Sequence, residues 1–121
     1  MQVEDQDDIR DIVTISLSVD PDIALKTAAS GMEALDLLSK GLKPDVILLD
    51  VMMPEIDGIE TLSRLRGLPG HAATPVIFMT ARTMEHERSL YMDLGALGVI
   101  AKPFDPMTLA KSVRDILAGS A

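Results

Sequence analysis

Apolar positions along the chain follow two rhythms. Ile9, Ile12, Val13 and Leu17 recur at helical spacing behind Asp7 and Asp8, acids suited to the positive end of a helix dipole, so a first helix is expected up to Asp20-Pro21. Ile23 to Ala28 has the short, β-leaning character of a strand, and Ser30-Gly31 is placed to cap a second helix over Met32 to Ser39. Beyond Lys43-Pro44, the run Val46-Ile47-Leu48-Leu49 has no polar alternation, as expected of a central strand covered on both faces. Met53-Pro54 and Asp57-Gly58 mark a turn, after which Ile59, Leu62 and Leu65 recur helically as far as Gly67. Gly67 to Pro75 reads as a loop and Val76-Ile77-Phe78-Met79 as the next buried strand. Glu85 to Leu94 reads as a charged helix ended by Gly95, and Val99-Ile100-Ala101 as a short last strand. Asp105 as cap and Pro106 as first helical residue are expected to open a final helix whose apolar stripe is Leu109, Val113, Ile116 and Leu117.

Strands alternating with helices imply right-handed crossovers, hence an α/β fold with a doubly wound parallel sheet and helices on both faces. A chain of 121 residues has room for one such domain. In these sheets ligands sit at the carboxyl ends of the strands. The polar residues that close the expected strands are Glu4 and Asp5, Asp50, Thr80 and Lys102. They make three carboxylates, one hydroxyl and one ammonium.

Composition narrows the partners. The hydrophobic fraction is 47% with eight Met, two Phe, one Tyr and no Trp, so the core must be aliphatic and adaptable. A formal net charge of -8 opposes direct binding to nucleic acid or to anionic membranes. No cysteine is present, which removes thiolate metal sites and thiol nucleophiles. No apolar run approaches the eighteen or so residues of a membrane span, and the cytoplasm is the expected location.

Three carboxylates brought together repel one another unless a cation neutralises them. Oxygen-only ligands of this number favour Mg²⁺, which keeps several waters and shares its coordination with phosphate oxygens. Asp50 is then the expected nucleophile, forming an acyl phosphate, while Lys102 and Thr80 supply positive charge and a hydroxyl to the transferring group. A cis bond between Lys102 and Pro103 would aim the ammonium inward.

Glu4-Asp5, the run from Asp45 to Pro54 with Asp57-Gly58, Met79-Thr80-Ala81 and Lys102-Pro103-Phe104 together resemble the receiver domain of two-component response regulators, of the single-domain chemotaxis-regulator kind. The resemblance covers nearly the whole chain. It implies a flavodoxin-like sheet of five strands in the order 2-1-3-4-5. It also implies phosphorylation of Asp50 by a phosphohistidine on a histidine kinase or histidine phosphotransfer protein, and a downstream protein that reads the switch. Glu4, Asp5, Asp50 and the backbone carbonyl of Met52 would bind Mg²⁺, with Thr80 and Lys102 on the phosphoryl oxygens. The chemistry implied is self-catalysed transfer and autodephosphorylation, not turnover of an external substrate, and homodimer formation stays open.

Two positions depart from the family pattern. Only Met1-Gln2-Val3 precede the acidic pair, where an average strand has five or six residues. Val99 stands where the family usually places an aromatic that follows the threonine inward, so another element, with Tyr91 as a candidate, is expected to carry the signal. His71 and His86 are expected to be solvated, Met52 and Met53 to pack beneath the site, and Arg82 either to tune acyl-phosphate hydrolysis or to be an ordinary surface residue. The chain ends soon after the last expected helix, which fits either a stand-alone regulator or the receiver of a longer one.

Rival readings make different demands. A phosphorylation-independent degenerate receiver would act as an interaction module and form no metal-dependent adduct. A phosphatase with an aspartyl nucleophile would carry a second carboxylate at the position of Met52. A flavin or nucleotide carrier would need a glycine-rich loop after the first strand, which this sequence lacks.

Overall fold

The structure is a computed structural model that describes residues 1–119; Ser120 and Ala121 lie outside the described residues. Among the described residues ten elements alternate: β1 (Gln2–Val3), α1 (Asp7–Leu17), β2 (Thr27–Ala28), α2 (Gly31–Ser39), β3 (Ile47–Asp50), α3 (Gly58–Arg66), β4 (Val76–Thr80), α4 (Glu85–Asp93), β5 (Gly98–Ala101) and α5 (Leu109–Leu117). The strands form one parallel sheet in the order β2-β1-β3-β4-β5. Both the class and the strand order match expectation.

Side-chain alternation sorts the apolar runs onto two faces. Ile47, Leu49, Val76 and Phe78 join Val3, Ala28, Leu38, Leu62, Leu65 and Tyr91 in a core under α2, α3 and α4. Leu48, Ile77, Met79 and Ile100 meet Val13, Leu17, Leu109, Val113 and Ile116 under α1 and α5. Because each face has its own helices, neither β3 nor β4 shows a polar alternation. Side-chain caps open two helices, the expected one at Ser30 and another at Asp57, which the sequence marked only as a turn. Ser30 Oγ accepts from the Glu33 amide at 3.0 Å, and Asp57 Oδ1 from the Glu60 amide at 2.8 Å.

Several expectations need correction. β2 is confined to Thr27–Ala28 because only these residues find partners on a two-residue β1, and α1 ends at Leu17, short of Asp20-Pro21. Asp105 does not cap α5: its carboxylate accepts from the Met107 amide in a preceding turn, and the helix begins at Leu109 behind Thr108. His71 is buried, with Nδ1 2.9 Å from Thr74 Oγ1, whereas His86 is exposed as expected. Arg66 encloses that loop, donating to the carbonyls of His71 and Thr74 at 3.2 and 2.6 Å.

Candidate functional site

The site residues converge because parallel strands end in step. Val3 pairs with Leu49, Asp50 with Met79, and Thr80 with Ala101, so Glu4, Asp50, Thr80 and Lys102 reach the same edge of the sheet from four strands. Glu4, Asp5 and Asp50 each offer a carboxylate oxygen, and these atoms lie within 4.8 Å of one another. The Lys102 ammonium donates to Glu4 Oε1 at 2.6 Å and to Asp50 Oδ1 at 3.0 Å. The Lys102–Pro103 bond is cis, as anticipated. Glu4, Asp50 and Thr80 are buried and Asp5 is half-buried, so water screens these charges poorly.

Electrostatics describe a site short of positive charge. Three carboxylates against one ammonium leave a net charge of -2. Burial, then the Glu4 carboxylate beside it, pushes the Asp5 carboxyl above its ordinary value, and Lys102 only partly offsets this. Burial works against the charged form of Lys102, but hydrogen bonds to Glu4 and Asp50 outweigh it and raise its pKa. Asp5 Oδ1 is buried and has no hydrogen-bond partner. An orphaned carboxylate oxygen within an all-oxygen set of net charge -2 fits a hard divalent cation.

Neighbouring groups fix the rest of the site. Thr80 Oγ1 accepts from the Arg82 amide at 3.0 Å, which sets the course of the chain leaving β4. Arg10 donates to the Glu4 carbonyl at 2.9 Å and pairs with Asp7, steadying the acidic turn from the first helix. Sequence reasoning missed Arg10, since nothing in its spacing from Glu4 marks it. It also read Gly58 only as a turn residue. A Cβ built on Gly58 would stand 2.3 Å from the Asp50 carbonyl oxygen and 2.8 Å from Val51 Cα, so the start of α3 packs directly on the strand end that carries Asp50. The Asp-Gly pair shortly after an apolar strand was the available signal. The Met52 side chain is 63% exposed instead of packing under the site, while Met53 does pack against the core.

The sequence pattern that defines the response regulator receiver domain matches residues 1–114. The chain belongs to the response regulator receiver family. Among relatives of this receiver domain, the transcriptional regulatory protein CreB of Escherichia coli is 38% identical over 115 residues, 95% of this chain and 48% of that protein. The response regulator Rre1 of Synechocystis sp. is 36% identical over 116 residues, covering 96% of this chain and 50% of that protein. The receiver domain thus spans about half the length of these curated relatives. The structure of the chemotaxis response regulator CheY4 of Vibrio cholerae superposes with a TM-score of 0.85 at 33% identity, covering 95% of this chain and 94% of that one. Among the described residues, no helix is long and apolar enough to cross a membrane.

Proposed function

We propose that this receiver domain is a phosphoacceptor switch in which Asp50 takes a phosphoryl group from a phosphohistidine of a histidine kinase or histidine phosphotransfer protein. The observation that carries the reading is the convergence of Glu4, Asp5 and Asp50 within 4.8 Å, with the Lys102 ammonium bonded to two of them. In the transfer an Asp50 carboxylate oxygen forms a bond to phosphorus as the bond from phosphorus to the donor imidazole nitrogen breaks. The imidazole keeps that electron pair and is left to take up a proton.

Glu4, Asp5, Asp50 and the Met52 backbone carbonyl are the groups that would hold Mg²⁺. When bound, the ion offsets the carboxylate repulsion and the charge spread over the phosphoryl oxygens. Lys102 leaves its resting bonds to contact a phosphoryl oxygen, and the Thr80 hydroxyl donates to another. Phosphorylation adds roughly -1.5 to -2 of charge at pH 7. The added charge changes partner binding only by favouring one of two existing arrangements of the domain. The reader is a downstream protein, and a cytoplasmic setting fits such a donor and reader.

The test is intact-mass measurement after incubation with a small phosphodonor, with and without Mg²⁺, for this chain and for Asp50→Asn. A single phosphoryl adduct that needs both Asp50 and Mg²⁺ is expected. No adduct, or equal labelling of Asp50→Asn, overturns the assignment.

A further inference from the structure

The residues just before β2 have the form of a strand but no strand beside them. Ile23 and Leu25 are half-buried against the core under α1 and α5 while Ala24 and Lys26 are exposed, the alternation expected of a chain lying on a sheet. The ladder nevertheless stops at Gln2, which pairs with Thr27 on one side and Leu48 on the other. Its last bonds run from the Gln2 amide to the Lys26 carbonyl and from the Met1 ammonium to the Val46 carbonyl, both at 2.8 Å. Carried back past Met1, the same register sets successive positions opposite Leu25 and Val46, then Ala24 and Asp45, then Ile23 and Pro44. Those positions fall in a cavity of about 410 Å³ whose walls include Leu17, Ile23, Leu25, Val46 and Leu117.

A strand placed there would find both edges of its ladder waiting. Neighbouring strands turn the bonding groups of alternate residues toward a shared partner. The groups that continue the pattern are the Lys26 amide and Ala24 carbonyl on one side, and the Val46 amide and Pro44 carbonyl on the other. Among the described residues no hydrogen bond reaches any of these four. Ile23, Leu25 and Val46 pack toward α1 and α5, so the first and third positions call for apolar side chains, whereas the middle one shares the exposed face of Ala24 and Asp45.

Charge sets the direction of the occupant. Arg114 is held by Asp20 and Asp22, which leaves the Met1 ammonium, Lys26 and Lys43 against Asp45 among the charged groups of the cavity wall. This is a local excess of cations in a chain of net charge -8. Met1 closes the inner end of the gap, so a strand parallel to the rest of the sheet must finish there with its carboxylate at the ammonium. The reverse direction would set two ammonium groups against each other.

We propose that this gap is a docking slot for the free carboxyl end of another polypeptide, taken up as a parallel strand in line with β1 and apolar at its last and third-last residues. The slot lies at the end of the sheet opposite Asp50 and does not depend on the phosphoacceptor reading. Its occupant completes the strand that leads into Glu4 and Asp5.

The probe is the acetylated tripeptide Leu-Ser-Val with a free carboxylate, titrated into the ¹⁵N-labelled protein. Saturable shifts are expected at the Lys26 and Val46 amides, with hydrogen exchange there slowed about tenfold at saturation and exchange at Thr80 unchanged. The same peptide amidated at its carboxyl end should bind about tenfold more weakly. Burial lowers the pKa of the Met1 ammonium to about 6 despite Asp45, and an arriving carboxylate favours the charged form. Binding of the free acid therefore takes up a proton and should be tighter at pH 6 than at pH 8. A chain carrying a short apolar strand ahead of Met1 fills its own slot and should not bind. No shift at Lys26 or Val46 in millimolar peptide, equal binding of acid and amide, or undiminished binding by the extended chain each overturns the proposal. Protection of the two amides that rises with protein concentration alone puts a second copy in the slot and overturns it as well.

Discussion

Gln2 lies on β1 in register with Leu48, whose side chain faces α1 and α5, and both the nitrogen and the oxygen of its amide are buried without a hydrogen-bond partner. Leaving such a group unpaired costs about 1–3 kcal/mol, so Gln2→Leu is expected to stabilise the domain by that order. A urea unfolding midpoint that does not rise would contradict this. Gly58→Ala should do the reverse. Its methyl group would press on the Asp50 carbonyl and Val51, costing about 1–3 kcal/mol and slowing adduct formation at Asp50. Unchanged labelling and unchanged stability together would refute the close approach.

At the surface, Asp20 pairs with Arg114, and that hydrogen bond holds the Asp20 carboxyl below its ordinary value of 3.8. A depressed folded value favours the charged form in the native state. The contribution is therefore whole above pH 3.8 and disappears as pH falls through the lower folded value. Asp20→Asn should lower the Tm at pH 7, and the difference from the parent should close in strong acid. The buried state of His71 belongs to this scale too, and it was illegible in the sequence. A His beside Pro69-Gly70 looks like loop, and what folds that loop inward is its Nδ1 contact with Thr74 Oγ1 together with Arg66, which holds the carbonyls of His71 and Thr74.

Among the elements, β3 and β4 were legible because four consecutive apolar residues, Val46 to Leu49 and Val76 to Met79, between two helical layers have few other options. β2 was overestimated and the start of α5 misplaced for the opposite reason. Pairing sets the one and a turn around Asp105 sets the other, and neither leaves a periodic trace. The acidic cluster was readable since it needs only strand ends, whereas the packing of Gly58 under Asp50 needs the third dimension. At the amino end of the sheet, Ile23, Leu25, Val46 and Leu48 line a cavity of about 410 Å³ beside Met1. There the Met1 ammonium makes the ladder bond to the Val46 carbonyl at 2.8 Å, and burial pushes its pKa down to about 6 despite nearby Asp45. Placing a short apolar strand segment ahead of Met1 would put an amide where the ammonium now is and fill the cavity. An increase in Tm is expected, and an equal Tm would argue that β1 gains nothing from length.

For the whole molecule, a net charge of -8 with a local excess of two negative charges at one edge makes divalent ions the natural stabilisers. Mg²⁺ should raise the Tm in a concentration-dependent way that Asp5→Asn weakens, and matched ionic strength from a monovalent salt should not reproduce it. The layout of the sheet gives that expectation a mechanical side. β3, β4 and β5 are laced together by four-residue ladders, whereas β1 joins its two neighbours through two residues each. The sheet therefore has its shortest ladders on either side of β1, and opening between β1 and β3 would carry Glu4 and Asp5 away from Asp50. Whatever bridges those three carboxylates also stitches that opening shut.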